Sequence, residues 1–169
     1  APQLLLLSAV QRKLASREHV DLTVWTEEGR ISLAGEMPST NDVVSLRVLP
    51  DIAYYVFGKG PEAVTFARIS QAAGYVTRLF SPDEETLEQA GVPSTRLSSP
   101  TIPQDLVADQ RSAIVLFFHD HDWEPPILEA ALTTDAFYIG AQGSARAREI
   151  RNCALRANGL GEDEIARIR

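Results

Sequence analysis

The sequence predicts an α/β fold, a parallel sheet flanked by helices and preceded by a small antiparallel α+β segment. Three observations predict it. From Asp51 onward, short apolar runs alternate with segments of helical period, the pattern of right-handed strand-helix-strand crossovers. Ser112 to Phe118 is almost continuously apolar, as befits a central strand covered on both faces. The first fifty residues lack that alternation. At 169 residues the chain is close to one domain's worth, about 100 to 200 residues, so one core is expected. The expected organisation is 1–50, a helix and short strands packed on the main domain, followed by 51–169 as the main α/β domain.

In chain order, Leu4, Leu7, Val10, Gln11 and Leu14 recur at spacings of three and four, which predicts a helix over Gln3 to Ser16 with Leu7, Val10 and Leu14 facing a core. Asp21 to Thr26 and Ile31 to Ala34 read as two strands around the turn 27–30, and Val43 to Leu49 as a third. Ala53 to Phe57 is the first strand of the main sheet. Pro61 at a first-turn position opens a helix to Ala73, stopped by Gly74. Tyr75 to Phe80 is the next strand, and Ser81-Pro82-Asp83-Glu84 fits a capping box for a short helix to about Ala90. A Pro-rich crossing leads to Ser112. Pro125 and Pro126 suit the first turn of a helix reaching Leu132 or Thr133, and Ala136 to Ile139 is a strand. Ser144 caps a helix over Ala145 to Asn158, with Ala147, Ile150, Ala154 and Ala157 inward and Gly159 at its end. Glu162 to Ile168 starts a last helix. Four or five parallel strands result.

Composition excludes several functions. The longest apolar runs fall far short of the ~18 residues of a membrane-spanning helix. Twenty-three acidic residues against 16 basic give a net charge of -7, whereas binders of the nucleic-acid backbone carry a surplus of Lys and Arg. The basic side is nearly all Arg, and five Arg between Arg146 and Arg167 form a local cluster able to meet an anion. Cys153 is the single cysteine, which excludes an internal disulfide, suits a reducing cytoplasm, and reads as a small packed side chain rather than a nucleophile. The start Ala-Pro-Gln, with no basic region before a long apolar stretch, does not read as an intact signal peptide.

Three segments could carry chemistry. Gly58-Lys59-Gly60-Pro61-Glu62-Ala63 matches G-x-G-x-x-G/A between a strand and a helix. Gly58 permits the tight turn, Gly60 the approach of a pyrophosphate, and Ala63 close helix-strand packing, while the helix start attracts phosphate. The carboxylate that would bind a ribose hydroxyl falls at Ser81, with Asp83 two residues later. Pro61 removes one amide. His119-Asp120-His121-Asp122 ends the central strand, at the edge where open α/β sheets place ligands. If extended, it offers the two His on one side and the two Asp on the other, for a metal pair or an acid-base pair; otherwise the Asp residues cap local amides. Two His alone do not make a zinc site, which wants about three or four protein ligands, so no metal is assigned. Gly140-Ala141-Gln142-Gly143-Ser144, followed by Arg146, Arg148 and Arg151, is a second junction able to bind an anion or simply a capped helix with a solvated Arg face. No serine-hydrolase elbow, P-loop or HExxH is present.

In order, VFGKGPEAVTFARISQAAGY (56–75), FFHDHDWEPPILEAAL (117–132) and FYIGAQGSARAREIR (137–151) resemble the Rossmann domain of XdhC/CoxI proteins, accessory factors of xanthine dehydrogenase and related molybdenum hydroxylases. The likeness covers roughly 51 to 168 and implies a Rossmann-like domain. It implies a protein that binds the molybdenum cofactor (molybdopterin), shields it during sulfuration and delivers it to the apo-hydroxylase. Carried over by position, the cofactor-binding set is Gly58, Gly60, Ala63, Ser81, His119, Asp120, His121, Asp122, Gly140, Gly143, Ser144 and Arg146, with no catalytic residue. Pro61 stands where the family has His, Ser81 where it has Asp, and Ala145 where it has Arg. The leading expectation is therefore a cytoplasmic, non-enzymatic carrier of a phosphate-bearing small ligand, with a molybdenum hydroxylase as partner. A homodimer is also expected, from the incomplete sheet edge. The alternatives are an NAD(P)-dependent oxidoreductase using His119 or His121 as acid-base group, or a divergent module that binds only a protein partner. For NAD, Ser81 predicts poor affinity and a gain on Ser81→Asp.

Overall fold

The computed structural model describes residues 2–33, 42–119 and 122–169. The chain divides into two compact units, residues 1–51 and 52–169. In the first, helix α1 (Pro2–Ala15) precedes strands β1 (Val20–Trp25), β2 (Arg30–Leu33) and β3 (Val43–Val48), an antiparallel sheet of order β2-β1-β3. Register places Leu22 opposite Leu33 and Leu46, and Val24 opposite Ile31 and Val44, so one sheet face is apolar. The other face carries Thr23, Trp25 and a bidentate Arg47–Asp21 pair at 2.7 and 3.0 Å. The helical face differs from expectation: Leu7 is exposed, while Leu6, Val10 and Leu14 are half-buried, because a single helix over a three-stranded sheet covers little area. Ala34 lies outside the described residues.

The second unit holds β4 (Ala53–Gly58), α2 (Pro61–Ala72), β5 (Val76–Ser81), α3 (Glu84–Gln89), β6 (Ser94–Arg96), β7 (Ser112–Phe117), α4 (Glu124–Leu132), β8 (Tyr138–Ala141), α5 (Ala145–Ala157) and α6 (Glu162–Ile165). Its five strands are all parallel, in the order β6-β5-β4-β7-β8, with α-helices packed on both faces. This is the Rossmann-like class the sequence predicts. Strand alternation divides the core. Val56 and Leu79 pack under Ala63, Val64 and Ala67 of α2, whereas Phe57, Phe80, Ile114 and Leu116 face Ile127, Leu128 and Ala131 of α4 and Leu155 of α5. The winding reverses between β4 and β7, which opens a crevice beyond their carboxyl ends.

Several local expectations are corrected. β6 lies inside the Pro-rich crossing, and its three residues are too few to show a period. Asp83, not Ser81, is the N-cap of α3: its carboxylate accepts from the Thr86 amide, while Ser81 ends β5 and its hydroxyl accepts from the Asp83 amide. On α5 the buried residues are Arg151 and Leu155, and Ile150 is exposed, because Arg151 has a carboxylate partner that makes its burial tolerable. Cys153 consequently turns to the surface. The last helix stops at Ile165, and Ile168 bridges in parallel to Ile139 at the sheet edge.

Candidate functional site at the carboxyl edge of the sheet

Gly58, the last residue of β4, is in register with Phe117 of β7. A Cβ on Gly58 would lie 2.7 Å from the Phe117 carbonyl oxygen and 3.0 Å from Ala63 Cβ, so the two strands and α2 meet at a point only glycine fits. The next amides are engaged: Lys59 donates to the Phe117 carbonyl at 3.0 Å and Gly60 to the Thr86 hydroxyl at 2.9 Å, while Pro61 has none. Thr86 is buried, and its hydroxyl in turn donates to Asp83 at 2.6 Å. These contacts tie the β4–α2 turn to α3. The Thr86 hydroxyl, then its amide and the Lys59 ammonium 3.8 Å away, hold the Asp83 carboxyl below its ordinary value. A second carboxylate, Glu62, lies over the same turn, with Oε1 3.7 Å from His119 Nε2. The Glu62 and Asp83 carboxylates and the Lys59 ammonium thus all lie beside the first glycine turn.

Beyond β7 the chain passes through buried Phe118 to exposed His119. Asp120 and His121 lie outside the described residues, and Asp122 is exposed in the turn before α4. Phe118 stacks on Trp123 at 5.8 Å between ring centres, and the two, with Lys59, Pro82 and Asp83, line a hollow of about 200 Å³. Immediately after Trp123, Glu124 turns inward. It is 3% exposed and pairs with Arg151 of α5, equally buried, at 3.5 Å between Oε2 and Nη1.

The second glycine turn follows β8. Gln142 donates its amide to the Leu116 carbonyl at 2.9 Å, and Ser144 caps α5 by accepting from the Ala147 amide at 3.2 Å. Phe118, His119, Glu124, Gln142, Gly143, Ser144 and Ala147 enclose a cavity of about 450 Å³, within the ~300–1,000 Å³ typical of small-molecule sites. Arg151 stands directly behind this wall. Its Nη1 touches Glu124 and lies 3.9 Å from where a Cβ on Gly143 would sit.

Of the residues expected at the site, His119, Gly143 and Ser144 line the cavity. Gly58, Gly60 and Ala63 build the first turn, and Gly140 is buried beneath the Tyr138 ring. Ser81 is fully buried and faces no cavity described, and Arg146 is exposed on the first turn of α5. Sequence reasoning missed Glu124 and Thr86, and it named Arg151 beside the second turn without its burial. The spacing of four from Ala147 to Arg151 to Leu155 marks one helical stripe and is the signal that would have turned Arg151 inward.

Residues 54–169, well over half of the chain, match the XdhC Rossmann domain. The chain belongs to the XdhC family. Among curated proteins, PaoD of Escherichia coli (strain K12), a molybdenum cofactor insertion chaperone, is 29% identical over 122 residues, covering 71% of this chain and 32% of PaoD. A crystal structure of a Bacillus halodurans protein described as a xanthine dehydrogenase superimposes with a TM-score of 0.70 at 14% identity, over 96% of this chain and 57% of that one. At that identity the likeness bears on fold alone. The chain spans about a third of the length of PaoD. Among the described residues, no helix is long and apolar enough to cross a membrane.

Proposed function

We propose that this XdhC-type chain is an accessory protein that holds the molybdenum cofactor, or a closely similar phosphate-bearing ligand, at the carboxyl edge of its sheet and passes it to a molybdenum hydroxylase in the cytoplasm. The observation that carries the reading is the 450 Å³ cavity beyond the carboxyl ends of β7 and β8, in a chain of this family. The donor set fits such a ligand: a capped helix start, the Ser144 hydroxyl, the Gln142 amide side chain and a half-aromatic wall from Phe118 offer an anionic group and a flat ring one contact each. When bound, the cofactor carries its own metal chemistry; this chain's residues would bind, orient and screen it. The similarity to PaoD, a molybdenum cofactor insertion chaperone, is consistent with delivery as the outcome. A dinucleotide-dependent oxidoreductase is less well supported, since Gly60 already gives its amide to Thr86 and Glu62 overlies the turn.

Differential scanning calorimetry of the whole chain with molybdenum cofactor released from a hydroxylase tests the reading. A ligand at a hundred times its Kd stabilises the folded state by about 2.7 kcal/mol, which is readily seen. Absence of any shift, or failure of the loaded chain to restore activity to an apo-hydroxylase, would overturn it.

A further inference from the structure

An edge strand exposes a row of unpaired backbone donors and acceptors, which natural sheets keep short, charge or cover. The five-stranded sheet is protected at both edges. β6 is three residues long, and along the outer side of β8 the Arg169 amide donates to the Ile139 carbonyl and the Ala141 amide to the Arg169 carbonyl, each at 2.9 Å. In the antiparallel sheet, β2 is four residues long and begins with Arg30. β3 has none of these devices. It is six residues long, pairs with β1 on one side in an unbroken register, and holds no Pro or Lys. Its one charged residue, Arg47, is already paired with Asp21. Val44 and Leu46 are 44% and 48% exposed.

The direction of the backbone groups on β3 limits what can add there. The Thr26 amide donates to the Asp42 carbonyl at 3.1 Å, in register with the β1–β3 ladder. Bonded and non-bonded pairs alternate along an antiparallel ladder, so Val44, Leu46 and Val48 turn their N–H and C=O groups toward β1, and Val43, Ser45 and Arg47 turn theirs to the open edge. Among the described residues no backbone hydrogen bond reaches those outward groups. We propose that the occupant of this edge is β3 of a second copy of the chain, added antiparallel about a two-fold axis through Ser45. Val43 then exchanges backbone hydrogen bonds with Arg47 of the copy, and Ser45 with its own counterpart, so every outward group is satisfied. Val44 meets Leu46 of the copy on the apolar face, which becomes continuous across both sheets, and Arg47 meets Val43 rather than another cation. A slip of one residue sets the apolar face of one copy beside the polar face of the other, and a slip of two leaves an outward residue without a partner in the strand. The contact is one strand wide, well below the ~1,600 Å² of a standard interface, so the dimer is weak and depends on concentration.

Ser45 faces its own counterpart across the axis, which gives a test that depends on the register. Sedimentation equilibrium of the whole chain, from micromolar to millimolar concentration, is expected to show a passage from monomer to dimer. Ser45 is exposed, so Ser45→Lys and Ser45→Asp leave the fold intact, and each sets two like charges directly opposite one another. Either variant alone is expected to dimerise about fivefold or more weakly, whereas an equal mixture of the two restores the dimer at low salt, because the charges across the axis are then opposite. Ser45→Pro removes an outward N–H and no bond of the β1–β3 ladder, and it is expected to weaken the dimer as well. A Tm close to that of the wild type at low concentration shows that each variant is folded. The inference is overturned if the wild type stays monomeric throughout, as it would were the edge reserved for the strand of another protein. It is equally overturned if a wild-type dimer persists in all three variants, or if the folded Lys and Asp variants fail to combine on mixing.

Discussion

Gly58 and Ser81 show how little room there is beside the site. An alanine at position 58 sets its Cβ against the Phe117 carbonyl oxygen at 2.7 Å and Phe117 Cβ at 2.8 Å, on backbone and strand atoms that cannot swing away. Overpacking of this kind costs about 1–3 kcal/mol, so Gly58→Ala is expected to lower the urea midpoint by that amount with the slope unchanged. Ser81 is the more instructive residue, because the sequence places it where a ribose-binding carboxylate belongs. Its side chain is fully buried and serves the Asp83 amide. A carboxylate there would be an uncompensated buried charge, worth about 3–5 kcal/mol against folding. Ser81→Asp is therefore expected to destabilise the chain in urea unfolding without conferring NAD affinity; a stable variant that binds NAD would refute the placement. What sequence cannot supply here is direction: strand alternation depends on where β5 ends, and one residue of register moves a side chain from crevice to core.

At the scale of elements, the tie between the β4–α2 turn and α3 rests on one buried hydroxyl, that of Thr86. Thr86→Val keeps the shape but removes both the acceptor for the Gly60 amide and a donor to Asp83. The Gly60 amide is half-buried, so leaving it unsatisfied costs about 1 kcal/mol, the low end for such groups. Part of the effect should depend on pH. Because the Asp83 carboxyl is held below its ordinary value in the folded state, its contribution is present above the unfolded carboxyl pKa of about 3.9 and is lost as pH falls through the lower folded value. The Thr86 hydroxyl is the largest cause of that depression, so the stability gap between wild type and Thr86→Val should narrow between about pH 7 and about pH 3. Urea curves at the two pH values check it, and a gap that widens in acid would contradict the assignment. None of this was legible in the sequence, since Gly60 and Thr86 are 26 residues apart and meet only through the fold. The glycine turns themselves were legible, because a strand, a glycine and a helical run in succession admit few geometries.

For the whole molecule, the parallel sheet was readable because its central strands are apolar on both faces, a demand that only a doubly covered sheet makes. The face of α5 was not. Alanine and isoleucine pointed to one stripe, but Arg151 and Leu155 occupy the core side, and a charged residue reads as surface until its partner is known. That partner, Glu124, joins α4 to α5. Replacing Arg151 alone by Met leaves the Glu124 carboxylate buried without that cation, at a cost of about 3–5 kcal/mol, whereas Glu124→Leu with Arg151→Met together should recover most of it, since a buried ion pair replaced by packed apolar groups is often neutral.

Both core clusters of the five-stranded sheet lie wholly within residues 52–169, as do the two glycine turns, the buried ion pair and the cavity. A fragment of residues 52–169 is therefore expected to unfold in one cooperative transition, with an enthalpy of about 0.7 kcal/mol per residue near 60 °C. Agreement between the calorimetric and van't Hoff enthalpies is the criterion. The fragment should also give the thermal shift with molybdenum cofactor expected of the whole chain, because every residue assigned to the cavity is present. A broad, non-cooperative melt would show that the first unit completes the core of the second, and loss of binding with a sharp melt would show that residues 1–51 contribute to the site.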